Sequence, residues 1–172
     1  MVKIGLQIKA FMENVTNLIP DDIPEFRWQL KLKCTACGEI PEHWQYVTLS
    51  EEQPLKGGRG HANFISKCKL CSKQNSLDIK EESIKSYGAE DSIKFKTICI
   101  FDCRGLEPTD FQPGNGWKAQ GYFEDEDGEG RETSTMFEEV DLSDKEWADF
   151  DEKSGESTMI SEFECKFVVV KD

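Results

Sequence analysis

The chain has 172 residues and a net charge of −13, with hydrophobic residues at 37% and charged residues at 32%. That length buries a core without staples, and the overall acidity works against a general affinity for nucleic acid, whose phosphates need cationic side chains. No apolar run approaches the roughly 20 residues of a membrane span, and residues 1–10 lack the apolar segment and cleavage site of a secretory signal, so the sequence predicts a soluble protein of the cytoplasm or nucleus whose seven cysteines stay reduced.

The dominant hydrophobic period is two. Ile4, Leu6, Ile8, Ala10 and Met12 alternate with mostly polar neighbours, and so do Phe26, Trp28, Leu30 and Leu32 around Arg27, Gln29, Lys31 and Lys33. Alternation of this kind predicts strands with one wet and one buried face. Further on, Phe95, Thr97, Cys99 and Phe101 are expected to face one way, with Ile98 and Ile100 opposite. A last strand is expected where Glu162, Glu164, Lys166 and Val168 alternate with Phe163, Cys165, Phe167 and Val169. Turn residues at 17–24, 57–60, 113–116 and 125–130 punctuate these runs. Residues 143–153 are the best candidate for a helix or a single helical turn, with Ser143 as cap, Glu146 three residues on, and Trp147 and Phe150 sharing a face. The fold class predicted is all-β.

Two similar β-rich halves, roughly 1–88 and 89–172, are suggested within one compact domain. Leu18-Ile19-Pro20 is echoed by Leu106-Glu107-Pro108, and Trp28 and Trp117 follow at nearly equal distance. Charge is distributed unevenly. Residues 121–156 hold fifteen acids against Arg131, Lys145 and Lys153, a sum of −12. Within them, 123–132 is acidic and glycine-rich enough to predict a mobile loop. Residues 56–73 carry Lys56, Arg59, Lys67, Lys69 and Lys73 and no acid.

Cys34-Thr35-Ala36-Cys37 and Cys68-Lys69-Leu70-Cys71 form two CxxC knuckles. Two intervening residues let one tight turn aim both sulfurs at a point, and Gly38 relieves the first turn. Two such pairs in one reducing compartment predict one structural Zn2+ per chain, held tetrahedrally by Cys34, Cys37, Cys68 and Cys71 in the first half. Four thiolates around zinc sum to −2. Arg27, Lys31, Lys33, Lys67, Lys69 and Lys73 flank the knuckles and offset it, which accounts for the basic segment without nucleic acid. Four cysteine ligands also leave no position for water or substrate, unlike catalytic zinc.

Little else points to chemistry. His43 and His61 lack ligand spacing and read as surface or strand-edge residues. The 56–60 loop, Lys-Gly-Gly-Arg-Gly, reads as a connection or as an anion cradle. Cys99 and Cys103, four apart, are either buried strand thiols or a second soft-metal or redox pair; Cys165 sits in the last strand. Neither a catalytic triad, a phosphate loop nor a dinucleotide fingerprint is present.

These residues together resemble the eukaryotic CXXC-motif-containing zinc-binding proteins. The resemblance rests on Phe26-Arg27-Trp28, Cys34 to Glu39, Trp44-Gln45-Tyr46, Leu55 to Gly60, Lys67 to Cys71, Asn75-Ser76 and Phe95 to Ile98. It continues through Cys103 to Pro108, Asp110 to Pro113, Trp147, and Asp151-Glu152-Lys153. It implies an all-β fold of two similar halves with one zinc on the four cysteines already chosen, and it carries no enzymatic activity. The 123–132 stretch looks longer than in that family.

The expected function is therefore a monomeric, non-enzymatic, zinc-stabilised scaffold that engages a protein partner. The 121–156 acids either dock a basic partner or only confer solubility. The alternatives are metal handling or thiol redox through the CxxC pairs or Cys99 and Cys103, and, less favoured, nucleic-acid binding by the basic knuckles.

Overall fold

The computed structural model describes residues 1–57 and 60–171. Fourteen strands account for nearly all of its regular structure: β1 Val2–Glu13, β2 Val15–Pro20, β3 Trp28–Cys34, β4 Gln45–Val47, β5 Gln53–Pro54, β6 His61–Ala62, β7 Phe64–Lys67, β8 Gln74–Lys80, β9 Lys96–Arg104, β10 Leu106–Gln112, β11 Trp117–Glu124, β12 Gly130–Val140, β13 Trp147–Asp151 and β14 Glu156–Val169. Short 3-10 turns at Glu81–Ser83 and Ala89–Asp91 join β8 to β9. A six-stranded sheet runs β13-β14-β1-β9-β8-β7. Two three-stranded sheets run β10-β3-β4 and β12-β11-β2, and β5 pairs with β6. The chain is all-β, as the alternation predicts.

The pairing interleaves the first and second parts of the chain. β1 pairs with β9, β2 with β11 and β3 with β10, all antiparallel. Leu18 to Pro20 ends β2, whereas Leu106 to Pro108 begins β10. The two triplets therefore occupy different places in their strands. Trp28 and Trp117 each open a strand, and their rings meet edge-on at 6.3 Å inside a cluster with Phe26, Phe101 and Phe111.

Alternation decides which side chains enter this core. On β3, Trp28, Leu30, Leu32 and Cys34 are buried while Gln29, Lys31 and Lys33 remain half-exposed. The period that builds the core thus also delivers Cys34 to its inner side. On β9 the simple alternation fails. Leu6 pairs with Cys99 and Gln7 with Thr97, so Ile98 is the extra residue of a bulge. A bulge inverts the facing of residues on its two sides. Cys99 and Phe101 therefore point inward, Phe95 and Thr97 lie on the outer side, and Ile98 is buried with Cys99.

The helix expected over 143–153 is absent; that segment contains β13, paired with β14 from Trp147↔Ile160 to Asp151↔Glu156. Ser143 uses its hydroxyl on Asp141 rather than on a helix end, and Lys145 adopts φ +62°, which no α-helix accommodates. Trp147 packs edge-on against Phe137 at 5.1 Å, and Phe150, expected on the same face, is exposed. Tertiary packing overrides the capping pattern here.

Of the acidic 123–132 stretch, Phe123 and Glu124 belong to β11 and residues 130–132 to β12. The turn between is closed by Asp125, whose carboxylate accepts the Asp127 and Glu129 N–H groups. In the 56–60 loop, Gly58 and Arg59 lie outside the described residues.

Candidate metal centre

The two knuckles are built alike. The Cys34 N–H donates to Glu39 O at 2.9 Å and Gly38 N–H to Cys34 O at 2.7 Å. In the second, Cys68 N–H donates to Lys73 O at 2.9 Å and Ser72 N–H to Cys68 O at 2.8 Å. Each turn needs a left-handed residue after its second cysteine. Gly38 supplies it at φ +84° and Ser72 at φ +65°, where a side chain costs about 1–2 kcal/mol that glycine avoids.

The corner between β9 and β10 brings the knuckles together. β8 pairs with β9 up to Ser76↔Arg104, and β3 pairs with β10 from Cys34↔Leu106. Gly105 joins them at φ +80°, accepting the Thr35 N–H at 3.0 Å. A Cβ on Gly105 would collide with the Asn75 amide. That amide is buried and donates from Nδ2 to Cys34 Sγ at 3.4 Å.

The four sulfurs lie within 4.8 Å of one another, and no other His, Cys, Asp or Glu group of this kind exists among the described residues. Cys34 Sγ is 3.8 Å from Cys71 Sγ, and Cys37 Sγ is 3.6 Å from Cys68 Sγ. A tetrahedral cation with bonds of about 2.3 Å has sulfurs about 3.8 Å apart along each edge. The donor set thus fits zinc in both kind and size. Cys34 is buried, Cys68 partly so, and Cys37 and Cys71 are exposed.

Electrostatics within the cluster is uneven. The Cys37 N–H, then the Asn75 amide, lower Cys34 to about 6 against the opposing effect of burial. The Cys71 N–H lowers Cys68 in the same way. Cys37 has help from the Glu39 N–H, yet desolvation and the neighbouring sulfurs push it up to about 12. The thiolate form is thus favoured at Cys34 and Cys68 and disfavoured at Cys37 by its neighbouring sulfurs; a divalent cation among them would remove that resistance.

Two of the cations that flank the knuckles have aromatic partners. Arg27 lies over the Tyr46 ring at 4.6 Å and Lys31 over the Trp44 ring at 5.0 Å. Both are engaged by aromatics of the β4 segment, which sequence spacing does not reveal. His43 lines a cavity beside Cys34, and His61 lies exposed on β6; neither joins the sulfur cluster.

Cys99 and Cys103 do share the inward face of β9. Four residues of strand separate them by about 13 Å, too far for a bridge or a shared ion. Burial raises the Cys99 thiol, raises Cys103 to about 12 with help from Asp102 and Glu107, and raises Cys165. Thiols so raised are poor nucleophiles. Two participants escaped sequence reasoning. Asn75 entered only through the family resemblance, with no role assigned, and Ser72 does not announce a left-handed turn.

Comparison with known proteins agrees with this geometry. A family profile described as "CXXC motif containing zinc binding protein, eukaryotic" matches residues 5–168. A Bos taurus protein named CXXC motif containing zinc binding protein is 53% identical over 168 residues, 98% of this chain and 99% of that one. The Homo sapiens protein of the same name is 50% identical, with the same coverage. A crystal structure of C1orf123 superposes with a TM-score of 0.87 at 49% identity, covering 98% of this chain and 99% of that one. A hypothetical protein from Plasmodium falciparum shares the fold, with a TM-score of 0.81 at 23% identity over 98% of this chain and 100% of that one.

Proposed function

The chain belongs to the family of eukaryotic CXXC motif containing zinc binding proteins, and from that premise we propose that Cys34, Cys37, Cys68 and Cys71 hold one structural zinc in a non-enzymatic protein-interaction scaffold. One observation carries the reading: four sulfurs lie within 4.8 Å of one another, two pairs of them near the edge length of a zinc tetrahedron, and every corner is a cysteine. Bound zinc would supply a cross-link between the end of β3 and the β7-β8 hairpin. The chain's own groups prepare that place. Backbone N–H groups of both knuckles and the Asn75 amide favour the thiolates, and the Gly105 corner holds the two turns in register.

Coordination supports the non-enzymatic reading. Zinc saturated by four cysteine thiolates offers no position to a substrate, and the remaining cysteines are held as buried or half-buried thiols. Elemental analysis of the purified protein, beside Cys34→Ser and Cys68→Ser, tests the metal. One zinc per wild-type chain and loss in both variants is expected; intact wild-type protein without zinc would defeat the proposal. The scaffold role is tested by partner capture with the full chain. Absence of any reproducible partner at physiological salt counts against it.

Metal transfer is the second reading. It draws on the exposure of Cys37 and Cys71, which an incoming thiol ligand can reach from solvent. Zinc loss to a chelator within seconds would favour transfer, and loss over hours the structural role.

A further inference from the structure

Beside the cysteines, two sheet edges that are unpaired among the described residues border one cavity. β4 is the outermost strand of its sheet and β7 the outermost of the six-stranded one. Gln45 of β4 and Ser66 and Lys67 of β7 line a cavity of about 550 Å³ over buried Leu32 and Leu106.

The β7 edge has backbone groups to offer. Cys68 N–H is bonded to Lys73 O, and the ladder continues through Lys67↔Gln74, Ser66↔Asn75 and Ile65↔Ser76. Antiparallel residues alternate between exchanging bonds with the partner strand and turning away from it. The peptide groups of Ile65 and Lys67 therefore point away from β8, to a side with no strand partner among the described residues. Exposed edges of this kind accept a further strand.

Charge says what that strand should carry. Glu39 and Glu42 stand on the side leading into β4, and Lys67 and Lys69 on the β7 side. None of the four is in an ion pair among the described residues. A polyanion such as nucleic acid would meet the two glutamates.

Building on the scaffold reading, we propose that this groove binds an extended peptide segment of a partner protein, added as a strand to the β7 edge. An apolar side chain of the segment rests on Leu32 and Leu106. An acidic residue faces Lys67 and Lys69, and a basic residue faces Glu39 and Glu42. Backbone pairing supplies affinity, and the opposed charges fix the direction of the segment.

The test pans a displayed library of random dodecapeptides against the zinc-loaded full chain. Enriched peptides should share an apolar residue with an acid and a base nearby. Synthetic versions should slow hydrogen exchange at the edge amides of Ile65 and Lys67. Binding should fall at least tenfold in Lys67→Glu/Lys69→Glu and in Glu39→Lys/Glu42→Lys, each checked for retained zinc. Because Lys67 and Lys69 flank Cys68, Glu42→Lys alone serves as the variant remote from the ligands, and a peptide with its base changed to an acid should recover affinity for it. No enrichment, or binding indifferent to both reversals, overturns the groove. Cellular partners retained equally by wild type and Glu42→Lys also overturn it while leaving the scaffold reading standing; that reading falls only if the wild-type chain captures no partner.

Discussion

The Asn75 side-chain amide donates to the Cys34 sulfur at 3.4 Å, across 41 residues of sequence. Its Oδ1 is buried with no hydrogen-bond partner among the described residues. An unsatisfied buried acceptor costs about 1–3 kcal/mol, so the amide is oriented for the sulfur and not for its own satisfaction. Charge-assisted N–H···S contacts of this sort hold a ligand in its thiolate form. Asn75→Leu removes the donor while filling similar space, and Asn75→Asp replaces it with a carboxylate. Outer partners of metal ligands are typically worth about 10–100-fold in affinity. Competition with a chelator of known strength should place both variants in that range below wild type. Equal affinities would mean the amide only packs.

Gly105 and Gly38 both sit at positive φ, but their surroundings differ. A Cβ on Gly105 runs into the Asn75 amide, whereas one on Gly38 meets nothing within 4 Å. Each alanine substitution carries a backbone strain of about 1–2 kcal/mol. Gly105→Ala should cost more, because it also displaces the donor to Cys34. Gly105→Ala combined with Asn75→Ala should then lose less than the sum of the two single changes. Urea denaturation across the four proteins measures the coupling, and strict additivity would deny the contact.

Asp151 links the end of β13 to β12. It is fully buried and accepts the Thr133 and Thr135 hydroxyls and the Lys153 and Ser154 N–H groups. Burial alone would raise its carboxyl, but these donors outweigh it and the pKa lies below the ordinary value. A depressed folded pKa gives stability that is present above the unfolded value of about 3.9 and lost as pH falls through the folded one. Asp151→Asn should therefore destabilise by about 1–3 kcal/mol near neutrality. The gap between wild type and variant should stay flat from pH 8 to 5 and shrink below about pH 4. A gap that widens on acidification would reverse the sign.

Period-two patterning made β1, β3 and β14 legible, because each buries one face and leaves the other wet. It misread the facing of β9, where the extra residue Ile98 inverts the pattern without any compositional mark. It also gave 143–153 to a helix, since a serine cap and a Trp–Phe spacing of three are local signals. The pairing of Trp147 with Ile160 that overrides them is not local. The four cysteines were legible because sulfur chemistry fixes spacing within each knuckle. That the two knuckles share one site was expected too; the means was not legible, since it depends on the Arg104-Gly105-Leu106 corner joining two sheets. The role of Asn75 stayed hidden because it is defined by distance to Cys34 and not by sequence position.

Ser72 offers the sharpest contrast within the site. Its φ of +65° matches the role of Gly38 at +84°, and its N–H makes the same bond to the first cysteine's carbonyl. A serine there stores strain of about 1–2 kcal/mol, while glycine would lose about 0.5–1 kcal/mol through the greater freedom of the unfolded chain. Ser72→Gly should therefore leave stability unchanged or raise it by up to about 1.5 kcal/mol, with zinc affinity intact, because the bond to Cys68 O survives. Gly38→Ala should lower both stability and affinity, since the strain it adds falls on the turn that aims Cys37. Urea midpoints and chelator competition on the two variants decide the matter. If Ser72→Gly weakened metal binding as much as Gly38→Ala, the seryl side chain would be a participant in the site, and the two knuckles would not be equivalent.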